Sequence, residues 1–550
     1  ETLVLLINII ISFFLAFILW DYIEFEYVDK GIIGIYSEKK FNPFNDIVRY
    51  VVFVLIPVIS FFLTKYFYDK NFFYKLKNLF LQQPLTYKSN KEISWSVFFF
   101  ILIMIILEFL SVSFPEHKLD SFHEGQKLSS AYKSLIDGSL WSGSFVTIGI
   151  FFETLSSKII WNTFDHVSIG LTRYLEILFI LIQKILLVLF LFIFTNFLKL
   201  SSLNKNIFFI FNTFIITFLS NYIVGVDLLS YRELPVIALS ILFLLSLKTN
   251  NDLLFLFLIS LLSICSMFWG VDRGLVCNFL ILIIIFYLLL IKEFKKTFLL
   301  IIFITLTWCL FFVFSKNEFL YFFENTMTIF KEMSNIHGLI HPKPFTDEPN
   351  SARATKTLLA IIFTKIVALH LIFSENKNFS INFKRFLIFF SLVCVSSYLY
   401  ALGRSDVPHI KNSFGYPLIF ISIFLSYNFL IFISEKKIIL NKYLIYISLF
   451  FFIFLSFQLN FKNIISYNDR FNNFINLKDD YFLNNDEIEL IDKLKPKVKN
   501  YDCIQLLSND AALYYLLRKK SCTRYYYVWN SSSNNTQKKL IKELTNTQII

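Results

Sequence analysis

The chain is short of the residues and motifs on which soluble chemistry is usually built. Cysteine occurs six times in 550 residues. Cys265, Cys277, Cys309 and Cys394 lie in or beside apolar runs and read as packing residues. Cys503 and Cys522 lie in a polar tail, where the alternatives are a disulfide, if the tail is outside the cytoplasm, and two free thiols. A Gly-rich phosphate loop of the Walker kind is missing, which argues against an ATP-driven pump. Nucleic-acid motifs are missing too, so the formal charge of +12 needs another source and no nucleic-acid partner is expected. The first apolar run, 2–20, lacks a basic leader and a small-residue cleavage site. It therefore reads as a membrane span and not as a signal peptide. There is no initial Met, and the chain stops at TQII, inside an expected strand; we expect one or both ends to be incomplete.

What the chain has instead is oil. Hydrophobic residues make up 56% of it, Phe alone supplies 71, and the mean hydropathy is +0.61. Apolar runs of about 17–25 residues recur along most of the length, the reach that a bilayer-crossing helix needs. This predicts an α-helical polytopic membrane protein of about 13 transmembrane helices, at 2–20, 47–67, 96–114, 173–198, 207–222, 234–248, 253–269, 275–291, 298–314, 358–374, 386–402, 416–433 and 442–458. The segments 68–95, 199–206, 292–297, 375–385 and 434–441 each carry two to five Lys or Arg. They are alternate loops, so the positive-inside rule makes them cytoplasmic and accounts for much of the positive charge. The N-terminus is then inside. The loops 21–46, 115–172, 223–233, 270–274, 315–357 and 403–415 face outward, as does the tail from 459.

Three parts follow: a two-span N-terminal segment (1–95), a transmembrane core (96–458) and an external tail (459–550). In the tail a helix is expected at about 486–494. After it CIQLLS reads as a strand, DAALYYLLRKK as a helix, TRYYYV as a strand, QKKLIKELTN as a helix and TQII as a beginning strand, a small α/β unit.

Ionisable residues gather in the external loops. In LDSFHEGQKLSSAYKSLIDG, Leu128, Ala131, Tyr132, Leu135 and Ile136 recur at helical spacing, which predicts an amphipathic helix along the membrane surface. Asp120, His123 and Glu124 stand at i, i+3 and i+4 and would share one helical face. Together they can supply a base, metal ligands or acceptors for a polar substrate. A solvated helix start is the alternative, since acids are favourable there anyway. WGVDRG places Asp272 and Arg273 in a very short turn. An outward Arg suits a phosphate, and an Asp–Arg pair closing the turn is the alternative. LGRSDVPHI adds Arg404, Asp406 and His409, and SYREL adds Arg232 and Glu233. His337 and His341 in NIHGLIHPKPF have ligand spacing only on a helix, and Gly338 and Pro342 argue against one. A divalent metal remains an open possibility, with no certain cofactor.

Many spans, an acidic motif in a long external loop with a surface helix, further charged external loops and an external α/β tail resemble the GT-C membrane glycosyltransferases. In particular they resemble bacterial members related to the dolichyl-phosphate-mannose–protein mannosyltransferases. The pieces LDSFHEGQKL, WGVDRG and LGRSDVPHI carry the likeness. It implies inverting sugar transfer from a polyprenyl-phosphate donor held in the membrane to a glycan, lipid or protein acceptor, on the external face of a bacterial inner membrane. It also implies Asp120 as the base, with Glu124 next. Arg273 and Arg404 would hold the phosphate, and His123, Asp272, Asp406 and His409 would contact substrate. The family's acid follows the first span, whereas Asp120 follows the third, so Asp21, Glu24 and Glu26 are rival bases. Two other functions stay open: a transporter or flippase built around Lys184, Lys365 and His370 inside spans, and a polysaccharide polymerase or ligase.

Overall fold

The computed structural model describes residues 2–81, 93–219, 229–247, 252–374, 380–435, 450 and 459–547. Lipid offers no partner for a bare peptide group, so spanning segments satisfy theirs internally as helices. Among the described residues nine helices are long and apolar enough to cross a membrane: Leu3–Tyr22, Phe44–Tyr68, Ile169–Asn196, Ser202–Leu219, Val271–Leu290, Phe294–Ser315, Ser351–Phe373, Ile381–Gly403 and Val407–Ser434. Three shorter apolar helices, Trp95–Ser111, Leu234–Ser246 and Asp252–Trp269, cover the remaining expected spans up to residue 433. The expected span 442–458 lies, but for residue 450, outside the described residues.

The alternation of loops recurs as a division between the two ends of the bundle. At one end the basic segments meet: Arg385 Nε donates to Leu79 O at 2.9 Å, Asn382 Nδ2 to Leu247 O at 2.9 Å, and Ile93 N to Asn196 Oδ1 at 3.1 Å. At the other end the remaining loops meet one another and the tail. Ile33 N donates to Ser532 O at 2.7 Å, Phe145 N to Arg524 O at 2.8 Å, and Val271 N to Ile148 O at 2.6 Å. The N-terminal helices are packed into the bundle: Trp20, Tyr50 and Phe53 share a core with Leu358, Ile361, Tyr398 and Ala401.

The amphipathic helix forms over His123–Asp137, its apolar side packed against protein, and ends at Gly138, whose φ of 75° suits a left-handed cap. Its buried side carries Leu128 and Ala131, which join Trp161, Phe474, Phe482, Ile491, Tyr515 and Leu516 in one core. The long loop and the tail are thus a single folded unit. Gly125 is the point of closest approach, since a Cβ there would fall 2.3 Å from the Ala512 backbone nitrogen.

The tail holds fewer strands than expected. CIQLLS is reduced to Cys503–Ile504, paired in parallel with Lys520–Ser521. TRYYYV is not a strand: Tyr525, Tyr526 and Tyr527 are irregular and at most 2% exposed, held by tertiary packing and not by a ladder. Helices form at Asn485–Val498, Ala512–Leu516 and Asn534–Asn546; the end of TQII lies outside the described residues. Cys503 and Cys522 are joined by a disulfide. Opening a cross-link between positions 19 apart is expected to destabilise the tail by about 3 kcal/mol in the chain-entropy picture. In a background lacking the four free cysteines, an impermeant maleimide should label intact cells only after a reductant is added. Labelling before reduction would refute the cross-link.

Candidate functional site

Asp120 sits just ahead of the surface helix, not on it, which corrects the expected shared helical face. Its Oδ1 accepts from Phe122 N at 3.0 Å and His123 N at 2.8 Å, and its Oδ2 lies 2.8 Å from His123 Nδ1. Glu124 answers by accepting from Asp120 N at 2.8 Å, so each acid binds the backbone beside the other at the helix start. Glu124 then turns the other way, into a bidentate pair with Arg173 at 2.7 and 2.8 Å. Arg173 also donates to Pro115 O and His117 O. It is 3% exposed and clamps the strap 115–118 against the helix start. Asp120 keeps an open face, its side chain 49% exposed. Burial pushes its carboxyl up, but the amide and ring of His123 and the Phe122 amide outweigh that, so the group lies below the ordinary carboxylate range.

Phe122, beside Asp120, points to the tail. Its ring lies 5.1 Å from that of Trp529, and Trp529 lies 4.1 Å from His337. The Arg404 guanidinium carbon is 5.9 Å from the Trp529 ring. Burial, then the charges of Arg404 and His123, lower His337 to about 4, so it is neutral at pH 7. Arg404 pairs through Nε with Asp406 Oδ2 at 2.8 Å and is 34% exposed. Its two Nη groups have no partner among the described residues. Asp406 caps the short helix Val407–Asn412 by accepting from His409 N at 3.2 Å and pairs with the His409 ring. Its carboxyl is raised by burial but lowered further by His409 and Arg404, and ends below its ordinary value.

Behind His409 lies an inner charge cluster. The His409 ring is 4.3 Å from that of Tyr400, and the Arg273 guanidinium carbon is 3.9 Å from the Tyr400 ring. Arg232 donates to Tyr400 OH at 3.2 Å and pairs with Asp272 at 2.9 Å. Arg273 pairs with Glu233, which also accepts from Tyr416 OH at 3.1 Å. Arg273 was expected as a surface cation for a phosphate. It is instead 2% exposed, because Tyr400, far away in sequence, closes over it. Two arginines and two acids leave this cluster neutral.

Asp120, His123, Arg404, Asp406, His409, Asp272 and Arg273 therefore form one continuous run of contacts, bridged by Phe122, Trp529 and Tyr400, while Glu124 supports it from behind. Of the rival acids, Asp21 is taken up in a pair with Lys343 at 2.5 Å. His337 and His341 do not converge on a common ligand: His337 faces Trp529, whereas His341 is buried with Nε2 2.6 Å from Tyr398 OH. Among the described residues no group of three or more His, Cys, Asp or Glu gathers as a metal cage. Beside Arg404 lies a groove of about 690 Å³ with walls that include Phe44, Ile47, Phe330, Leu399 and Leu402. Lys30, Asn42, Lys331, Glu332 and Asn335 also stand along it, and it reaches Gly403, the residue before Arg404. Sequence reading missed Arg173, Tyr400 and Trp529, and weighed His337 only as a partner of His341. The only signal for Arg173 was a charge near the start of an apolar run.

No protein family matches the sequence, and no curated protein does. Among solved structures the chain is similar to the crystal structure of ArnT from Cupriavidus metallidurans bound to undecaprenyl phosphate, at 10% identity and a TM-score of 0.41, over 78% of this chain and 85% of that one. What the fold itself defines is a helical polytopic protein with a polar site assembled at one end of the bundle.

Proposed function

We propose that the protein is a GT-C-type membrane glycosyltransferase that moves a sugar from a polyprenyl phosphate to an acceptor. The observation that carries the reading is the meeting of a groove with a charged site: a groove with apolar and polar walls reaches Gly403, next in the chain to Arg404, and the contacts from Arg404 run on through Trp529 and Phe122 towards Asp120. A lipid chain suits the groove. Arg404, with free Nη donors, suits the phosphate at its head. Asp120, a carboxylate held charged and open, suits a base.

In the proposed step Asp120 takes the proton of an acceptor hydroxyl as the acceptor oxygen bonds to the sugar C1. The C1–O bond to phosphate breaks, and the polyprenyl phosphate leaves with the electron pair, its developing charge met by Arg404. Asp406 and His409 hold Arg404 and Tyr400. Asp272 and Arg273 support them from beneath, and His123 fixes the Asp120 carboxylate. The acceptor is a glycan, lipid or protein hydroxyl. A divalent ion, if the reaction uses one, would be read as loss of transfer on chelation. The Cys503–Cys522 disulfide and the basic loops at the opposite end support placing the site on the external face of a bacterial inner membrane.

The test is transfer of labelled sugar from a polyprenyl-phosphate donor by the full chain reconstituted in lipid vesicles. Arg404→Ala is expected to raise the KM for the donor by about 10–100-fold, the loss of a charge-assisted contact of roughly 1.5–3 kcal/mol. Uptake of the lipid without covalent transfer would favour the transporter reading instead.

A further inference from the structure

We infer that Trp529, delivered by the tail, is the platform on which the donor sugar ring lies. The inference rests on the proposed transfer reaction and adds to it the residue that recognises the sugar. Trp529 is partly buried, with Phe122 on one side at 5.1 Å and His337 on another at 4.1 Å. Its indole N–H has no partner among the described residues. Its backbone is fixed: Trp529 N donates to Asn509 Oδ1 at 3.0 Å, Val528 N to Ser508 O at 3.0 Å, and Ser532 O accepts from Ile33 N at 2.7 Å. A large aromatic face held from three directions, with its polar edge unused, loses little order when a ligand arrives.

The position selects the ligand. In the donor the sugar is bonded directly to the phosphate, so a phosphate on Arg404 carries the sugar to the next surface along. That surface is the Trp529 ring, 5.9 Å from the Arg404 guanidinium carbon. Beyond it stands Phe122, two residues from Asp120, where the acceptor hydroxyl is activated. A pyranose has an apolar face of C–H groups and a polar rim. The indole and Phe122 rings match the face. The indole N–H and neutral His337 match the rim. Among the described residues Glu124, Arg232 and Arg273 are already paired, whereas the indole N–H of Trp529 is not.

Binding and transfer are measured with the reconstituted full chain, using a panel of polyprenyl-phosphate-linked hexoses and pentoses and the bare polyprenyl phosphate. The wild type should bind one glycosylated lipid more tightly than the bare lipid. Trp529→Ala should erase that difference, lowering affinity for the glycosylated lipid roughly three- to tenfold and raising its KM more than it lowers kcat, while the bare lipid binds as before. Trp529→Phe should restore most of the difference, which a merely structural defect would not allow. If Trp529→Ala preserves the preference for the glycosylated lipid, the platform assignment is wrong. If it changes only the acceptor KM, the ring serves the acceptor and the donor assignment fails. If the wild type binds neither lipid, the transferase reading falls, and this inference with it.

Discussion

Replacing Asp120 with Asn is expected to abolish sugar transfer while the protein still folds and enters the membrane. The substitution is nearly isosteric and keeps an oxygen for the Phe122 and His123 amides, so the helix start survives. What it removes is the proton acceptor. Loss of a general base of this kind costs about 10²–10⁴-fold in rate. Donor binding should hardly change, because Arg404 and the groove are untouched. The pH profile adds a second check. The Asp120 carboxyl lies below its ordinary value of about 3.9. Its basic form therefore persists down to that lowered pKa, and activity is lost only as pH falls through it. A profile already declining on its acid side between pH 5 and 7 would point to another base. Full transfer by Asp120→Asn would remove Asp120 from the mechanism, and Glu124 would not replace it, since Arg173 holds both its oxygens.

The second large effect is on stability. Arg273→Met is expected to destabilise the protein by about 3–5 kcal/mol, because it leaves Glu233 buried opposite Tyr416 without its cation. The thermal midpoint in detergent and the amount of folded protein in membranes both report it. Combining Arg273→Met with Glu233→Gln should recover part of the loss, since no charge is then left unpaired. Arg273→Lys should recover less, because an ammonium cannot keep the guanidinium stacked on Tyr400 while also reaching Glu233. A variant with an unchanged midpoint but weakened donor binding would return Arg273 to direct contact with the phosphate.

The two arginines show what a sequence makes visible. Arg404 is legible because it stands with an acid and a histidine between apolar runs, where any charge needs a reason. Arg273 is equally visible, but its exposure is not, because the ring that covers it comes from residue 400. The surface helix is legible from Leu128, Ala131 and Leu135, since its periodicity is local. Arg173 is hidden for the opposite reason: it lies near the start of a long apolar helix and looks like that helix's edge. Trp529 carries no local signature, and the spacing of His337 points to His341 instead; only the packing of the tail against two loops brings Trp529 and His337 beside Arg404. The tyrosines 525–527 misled because their type favours strands, whereas their burial depends on partners from other elements.

The union of the long loop and the tail also sets an order of events. Asp120 leaves the ribosome early, but Trp529 and the tail residues that share a core with Leu128 and Ala131 come hundreds of positions later. Until that tail has docked, the part of the helix that meets Phe482, Tyr515 and Leu516 is uncovered and the site lacks one wall. A nascent chain stalled before residue 459 would thus hold its base and its arginines yet be inert, and the helix would be open to quality-control factors that recognise exposed apolar faces.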